Sequence, residues 1–188
     1  MSKSNYILVT ILMTVAIIGG LTACGNAVKP ETAPSLTVAP NEQAAPAREA
    51  KVGSLAPEFE LAKLDGAKIS SADFAGKPAV LVFWTAWCPS CKEEAPHINR
   101  LAAEYQSKGV RVLGINIGEG AARVGEGIKD FGIEYDVVRD ADAQVAKTYK
   151  VVGTPTVVFL DKKGVVRFFG NELPKDYAAR LDTLNAGS

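Results

Sequence analysis

The sequence predicts an α/β domain with a mixed central sheet flanked by helices. Three observations carry that prediction. Ala79–Trp84 (AVLVFW) is an unbroken apolar run, the composition of a strand covered on both faces. Through the middle of the chain such runs alternate with segments of helical periodicity. Two further apolar runs, Thr156–Leu160 and Val165–Phe169, flank the polar turn Asp161-Lys162-Lys163-Gly164 and precede a last helical segment.

Each element has its own signal. Phe59-Glu60-Leu61 and Lys68-Ile69-Ser70, joined across Asp65-Gly66, predict a short N-terminal hairpin. Asp73 to Gly76 reads as a turn before the Ala79–Trp84 strand. The helix that follows Cys88 carries Ile98, Leu101, Ala102 and Tyr105 on one face and stops by Gly109. Val110 to Ile117 is a second buried strand, and Ala121 to Phe131 a helix that Gly125 and Gly127 weaken. A short strand at Tyr135–Val138, a short helix at Ala143–Tyr149, the closing hairpin and a helix over Lys175–Leu184 complete the domain. The folded part is expected over residues 51–188.

Composition excludes some partners. The 188-residue chain has 21 basic and 21 acidic residues and no basic block, so nothing points to nucleic acid. Ahead of the domain, Lys3 and an apolar run from Tyr6 to Ile18 read as a targeting segment. Leu21-Thr22-Ala23-Cys24 resembles a bacterial lipobox, which implies cleavage after residue 23 and a lipid on Cys24. The competing reading is an uncleaved anchor, for which Ile7 to Ala23 is barely long enough. Either way the protein is expected outside the cytoplasm, in the cell envelope and held to a bacterial membrane. Residues 24–50, with Pro30, Pro34, Pro40 and Pro46 among Ala and polar residues, are expected to form a disordered linker.

The chemistry is expected at Trp87-Cys88-Pro89-Ser90-Cys91, a strand-to-helix junction. Cys88 falls at the helix N-terminus, where unpaired N–H groups and the dipole favour thiolate over thiol. Pro89 suits the first helical position, and Cys91, one turn on, is near enough to close a disulfide. The bland alternative, a structural staple, is weak because so small a loop removes little unfolded-chain entropy.

Phe83-Trp84-Thr85-Ala86-Trp87-Cys88-Pro89-Ser90-Cys91, Pro96 and the downstream Gly153-Thr154-Pro155-Thr156 together resemble the thioredoxin superfamily, in its extracytoplasmic TlpA/ResA-like branch. The segment between Ala121 and Val138 matches a central strand–helix insertion that simple thioredoxins lack. The resemblance implies a thioredoxin fold and a thiol-disulfide oxidoreductase working as a reductase, with apocytochrome c as a substrate and a membrane thiol donor supplying electrons. It implies that Cys88 is an exposed attacking thiolate and Cys91 a more buried resolving thiol. Trp87, Pro89 and Ser90 would shape the site, and Pro155 would be cis and face the cysteines. The Thr154 backbone would pair with an extended substrate.

Glu119 follows the second strand, and parallel pairing with Ala79–Trp84 would bring it to the side that carries Cys88, as a proton shuttle. Simple thioredoxins have an acidic residue six positions before the first cysteine; here it is Val82. No metal or cofactor is expected, and His97, the only histidine, reads as a surface or packing residue. Two other functions compete: a peroxiredoxin-like peroxidase, for which Leu81 stands where a proline is expected, and a non-enzymatic metal- or haem-delivery module.

Overall fold

Every residue of Ala79–Trp84 is buried, so this strand, β3, has protein on both faces and sits inside the sheet rather than at its edge. The computed structural model describes residues 50–187. The expected targeting segment (1–23), Cys24 and all of the expected linker except Ala50 lie outside the described residues. Ala50 itself packs against the core.

In chain order the elements are β1 (Glu60–Ala62), β2 (Lys68–Ser70), β3 (Ala79–Trp84), α1 (Pro89–Gln106), β4 (Arg111–Ile117), α2 (Ala121–Phe131), β5 (Asp136–Asp140), α3 (Gln144–Thr148), β6 (Thr156–Leu160), β7 (Val166–Gly170) and α4 (Tyr177–Ala186). The seven strands form one sheet in the order β2-β1-β5-β4-β3-β6-β7. β3, β4 and β5 run parallel, with Trp84 opposite Asn116 and Ile117 opposite Asp140. β6 and β1 join them antiparallel, and the hairpins β6–β7 and β1–β2 close the two sides. The sheet is mixed, as the alternation of elements predicts.

Alternation along β3 divides the core. Leu81 and Phe83 face Phe59, Leu113, Ile115, Val158 and Tyr149. Val80 and Val82 face Ile98, Leu101 and Tyr105 of α1 and Leu181 of α4. Tyr105 also fastens α4, donating its hydroxyl to the Ala178 carbonyl and to Asp182. Trp84 belongs to a third cluster with Ala86, Cys88, Cys91, Ala95 and Val124 of α2. The outer edge of β7 is covered by the segment leading into β1, through Gly53 N–H to Val166 O and Val166 N–H to Ser54 O.

Boundaries shift where side chains reach backbone groups. Ser71–Phe74 is one turn of 3-10 helix rather than a plain turn, because Ser70 and Asp73 cap each other's N–H. β5 runs on to Asp140, whose buried carboxylate accepts the N–H groups of Val145 and Ala146 and so starts α3. Ala102 is only half-buried, at the margin of the α1 stripe. Among the described residues no helix is long and apolar enough to cross a membrane.

Candidate active site

β3 ends at Trp84, and Thr85-Ala86-Trp87 turns the chain into α1. Cys88 N–H closes that turn on the Thr85 carbonyl at 3.2 Å. Cys88 is the N-cap residue, extended in backbone (φ −88°, ψ 110°), and its sulfur accepts the Cys91 N–H at 3.1 Å. Pro89 occupies the first turn, where a missing N–H costs nothing. Cys88 and Cys91 form a disulfide with their Cα atoms 5.3 Å apart. Further along α1, Pro96 has no N–H to give to the preceding turn.

One expectation is corrected here. Cys88 is not the exposed member of the pair: the cysteines are 4% and 5% exposed, both buried alike. The cause is the loop before β6, which lies over Cys88 and places the Thr154 carbonyl 3.3 Å from its sulfur. Trp87, expected to shape the site, is 69% exposed beside Cys88. The buried indole is that of Trp84, which lies against Gly114 of β4; a Cβ there would come within 3.2 Å of its Nε1.

The other candidate residues gather around this centre. Pro89 and Ser90 are exposed, Thr154 is half-buried and Pro155 buried. The Thr154–Pro155 peptide is cis, and the Pro155 carbonyl accepts from Asn171 Nδ2. Thr154 N–H makes no backbone hydrogen bond among the described residues.

Parallel pairing of β3 and β4 brings Glu119 to the same end of the sheet as the cysteines. Its Oε2 accepts two hydrogen bonds of 2.7 Å, from the Ala86 N–H and from Asn116 Nδ2. The carboxylate thus holds the turn two residues before Cys88. His97 is exposed on α1. Among the described residues no three His, Cys, Asp or Glu side chains cluster as a metal site.

Two residues escaped the sequence reading. Glu94 lines a narrow crevice with Cys91, Val82, Trp84, Tyr135 and Pro155, and its Oε1 accepts the Leu173 N–H at 2.8 Å. The signal was its spacing, three residues after Cys91 on one helix face. Burial, and then the charge of Glu94, push the Tyr135 hydroxyl well above its ordinary ionisation range. The second is Arg123 of α2, whose Nη2 donates to the Ala86 carbonyl at 3.0 Å. Its signal was a basic residue in the first turn of a helix, where the dipole disfavours one.

Comparison with known proteins agrees with this geometry. Residues 52–169 match the model of the AhpC/TSA family. Thiol-disulfide oxidoreductase ResA of Geobacillus thermodenitrificans (strain NG80-2) is 39% identical over 135 residues, covering 71% of this chain and 78% of that protein. A secreted Mycobacterium tuberculosis disulfide oxidoreductase homologous to E. coli DsbE superposes with a TM-score of 0.57 at 30% identity, over 69% of this chain and 96% of that one. A thiol:disulfide interchange protein from Bacteroides sp. gives a TM-score of 0.64 at 25% identity, over 73% and 93%. The sheet and helices are those of the thioredoxin fold, with α2 and β5 as its insertion. The chain belongs to the AhpC/TSA family and, within it, is a thiol-disulfide oxidoreductase of the ResA and DsbE type.

Proposed function

We propose that this protein is a reductase of protein disulfides, tethered on the outer side of a bacterial membrane by a lipid on Cys24, with apocytochrome c as its substrate. One observation carries the chemistry: a Cys88–Cys91 disulfide at the start of α1, with the Thr154 carbonyl beside the first sulfur. In the reduced protein, the Cys88 thiolate attacks one sulfur of a substrate disulfide, and the departing substrate thiolate takes up a proton. Cys91 then loses its proton and attacks the Cys88 sulfur of the mixed disulfide. The protein disulfide forms and the second substrate thiol is released. Two electrons and two protons pass to the substrate, and a membrane dithiol donor returns them.

Burial does not distinguish the two sulfurs, so electrostatics assigns the roles. Cys88 receives a backbone N–H and sits at the positive end of α1, which favours its thiolate. Cys91 lies one turn inside, with the half-buried Glu94 in the same crevice to accept its proton. Glu119 acts on the Cys88 side through Ala86. The Thr154 N–H, without a backbone partner among the described residues, is available to an extended substrate. Tethering is supported by the lipobox resemblance at Leu21–Cys24, and a place outside the cytoplasm also by a relative described as secreted. The apocytochrome substrate rests on the resemblance to the ResA branch.

The test is the equilibrium reduction potential of the Cys88–Cys91 pair in the full-length chain. A value near that of thioredoxin, about −270 mV, supports a reductase fed by a membrane donor. A value near about −120 mV, that of a strong oxidant, sinks the reductive direction and the cytochrome role with it. The family match also favours a second reading, peroxide reduction at Cys88. Peroxide consumption by the reduced chain, with a stoichiometric dithiol as donor, decides that reading.

A further inference from the structure

Glu119, just after β4, and Arg123, in the first turn of α2, together grip the turn that leads to Cys88. Ala86, 6% exposed, gives its N–H to Glu119 Oε2 at 2.7 Å and receives Arg123 Nη2 on its carbonyl at 3.0 Å. These groups belong to the two peptide units on either side of the Ala86 Cα. Holding both fixes φ and ψ there, and so the direction in which Trp87 and Cys88 leave β3. Each bond is charge-assisted, a carboxylate on the donor and a guanidinium on the acceptor. Gly127, one turn beyond Arg123, brings the helix backbone up to the same residue: a Cβ on it would lie 2.6 Å from Ala86 Cβ.

Arg123 stands against local preference. It occupies the third position of α2, at the positive end of the helix, where acidic residues are favoured; the first turn holds none. Its Nη1 reaches Glu126 at 3.3 Å, and the side chain keeps 48% of its surface exposed. A half-exposed ion pair within one helix contributes little. The contact that distinguishes this arginine is the one to Ala86.

We propose that Arg123 is a positioning residue of the redox centre: paired with Glu119 across Ala86, it locks the turn that delivers Cys88 to the N-terminus of α1 and holds a fixed positive charge two residues from the sulfur. The proposal rests on Cys88 being the attacking thiol. Two residues of chain span at most about 7 Å, and a unit charge about that far off in a largely solvated dielectric changes an ionisation constant about threefold.

The experiment uses the full-length chain carrying Cys91→Ser, so that a single thiol of the pair reports. The rate of alkylation by iodoacetamide is followed across pH in the parent, Arg123→Met and Arg123→Lys, with thermal unfolding of each. The expected result is a titration of Cys88 displaced upward in Arg123→Met, its acid dissociation constant lowered about threefold, and largely restored by Arg123→Lys, which keeps the charge. A merely structural arginine would lower the melting temperature and leave the pH profile unmoved; that outcome overturns the proposal. So does an Arg123→Lys chain that folds like the parent but titrates like Arg123→Met, since charge would then play no part. If the chain with both cysteines reduces no protein disulfide, the functional reading fails instead, whatever Arg123 does.

Discussion

Gly125 and Gly127 sit two residues apart in α2, and replacing each by alanine should move stability in opposite directions. The intrinsic term is the same for both: alanine is favoured over glycine in a helix interior by about 1 kcal/mol. At Gly125 a new Cβ meets only Leu64 Cδ1, at 3.8 Å, an ordinary contact. Gly125→Ala should therefore stabilise by about 0.5–1 kcal/mol. At Gly127 the new atom would lie 2.6 Å from Ala86 Cβ, 3.0 Å from Trp84 Cζ3 and 3.2 Å from Ala86 Cα. These are not the free ends of flexible chains: Trp84 is fully buried and Ala86 is held at both of its amide groups. Overpacking of that kind costs about 1–3 kcal/mol, enough to cancel the helical gain and leave a net loss of up to about 2 kcal/mol. Urea unfolding of the oxidised chain and both variants measures the difference directly. Equal stability of the two variants would refute the docking of α2 on the redox loop. Because the strain in Gly127→Ala falls on Ala86, its cysteine pair should also change reduction potential, while that of Gly125→Ala should not.

Three further outcomes follow from the same contacts. Cys91→Ser should accumulate a mixed disulfide with a protein substrate, visible on a non-reducing gel, whereas Cys88→Ser should not; trapping by the latter would reverse the assigned roles. Tyr149→Phe removes a buried 2.8 Å hydrogen bond to the Pro57 carbonyl and leaves that oxygen unpaired. The expected loss is about 1–3 kcal/mol in urea unfolding, and no loss would mean that the segment before β1 is not fastened there. Burial holds the Asp140 carboxyl above its ordinary value of 3.8, against the opposing pull of the Ala146 and Val145 N–H groups. The folded state then binds a proton that the unfolded chain has released, so the contribution of Asp140 to stability is greatest below that value and is lost as pH rises through the folded one. The stability of the wild type relative to Asp140→Asn should accordingly shrink from acid to neutral pH; a growing difference would mean that the two N–H bonds outweigh burial.

What the sequence showed, and what it hid, divides by the range of the interaction. β3 was legible because six successive apolar side chains leave no polar face. α2 appears at its expected boundaries, Ala121–Phe131, despite two glycines that argue against a helix. Propensity was overridden at Gly127 because packing on Ala86 demands an absent side chain. Glu119 could be placed from topology, since parallel neighbours bring their carboxyl ends together. Its partner Ala86 could not be foreseen, and neither could the contact of Arg123 to a carbonyl 37 residues away. Hydrogen bonds to main-chain groups leave no pattern in the residue they reach. The burial of Cys88 was missed for a related reason. Its cover is a loop 66 residues downstream; the resemblance set Pro155 facing the cysteines, but nothing in the sequence showed that the Thr154 carbonyl would close over the first sulfur.

Position 82 explains why the carboxylates of this site lie where they do. Val82 is 3% exposed, packs with Val80 and Ile98, and also lines the crevice that Cys91 shares with Pro155. A carboxylate at that place would be surrounded by apolar side chains, and an unpaired buried charge costs several kcal/mol. With valine there, the core beneath the disulfide stays apolar and acidic groups must come in from the rim. Glu94 enters from α1 on the Cys91 side and Glu119 from the end of β4 on the Cys88 side. Both are half-buried, and each accepts a main-chain N–H, from Leu173 and Ala86 respectively. Those bonds satisfy the charges while tying them to the two loops that frame the cysteines. A single buried acid would have to serve both sulfurs from below. Two rim carboxylates, each hydrogen-bonded to a different loop, instead stand at the margin of the site with the core beneath the disulfide left apolar.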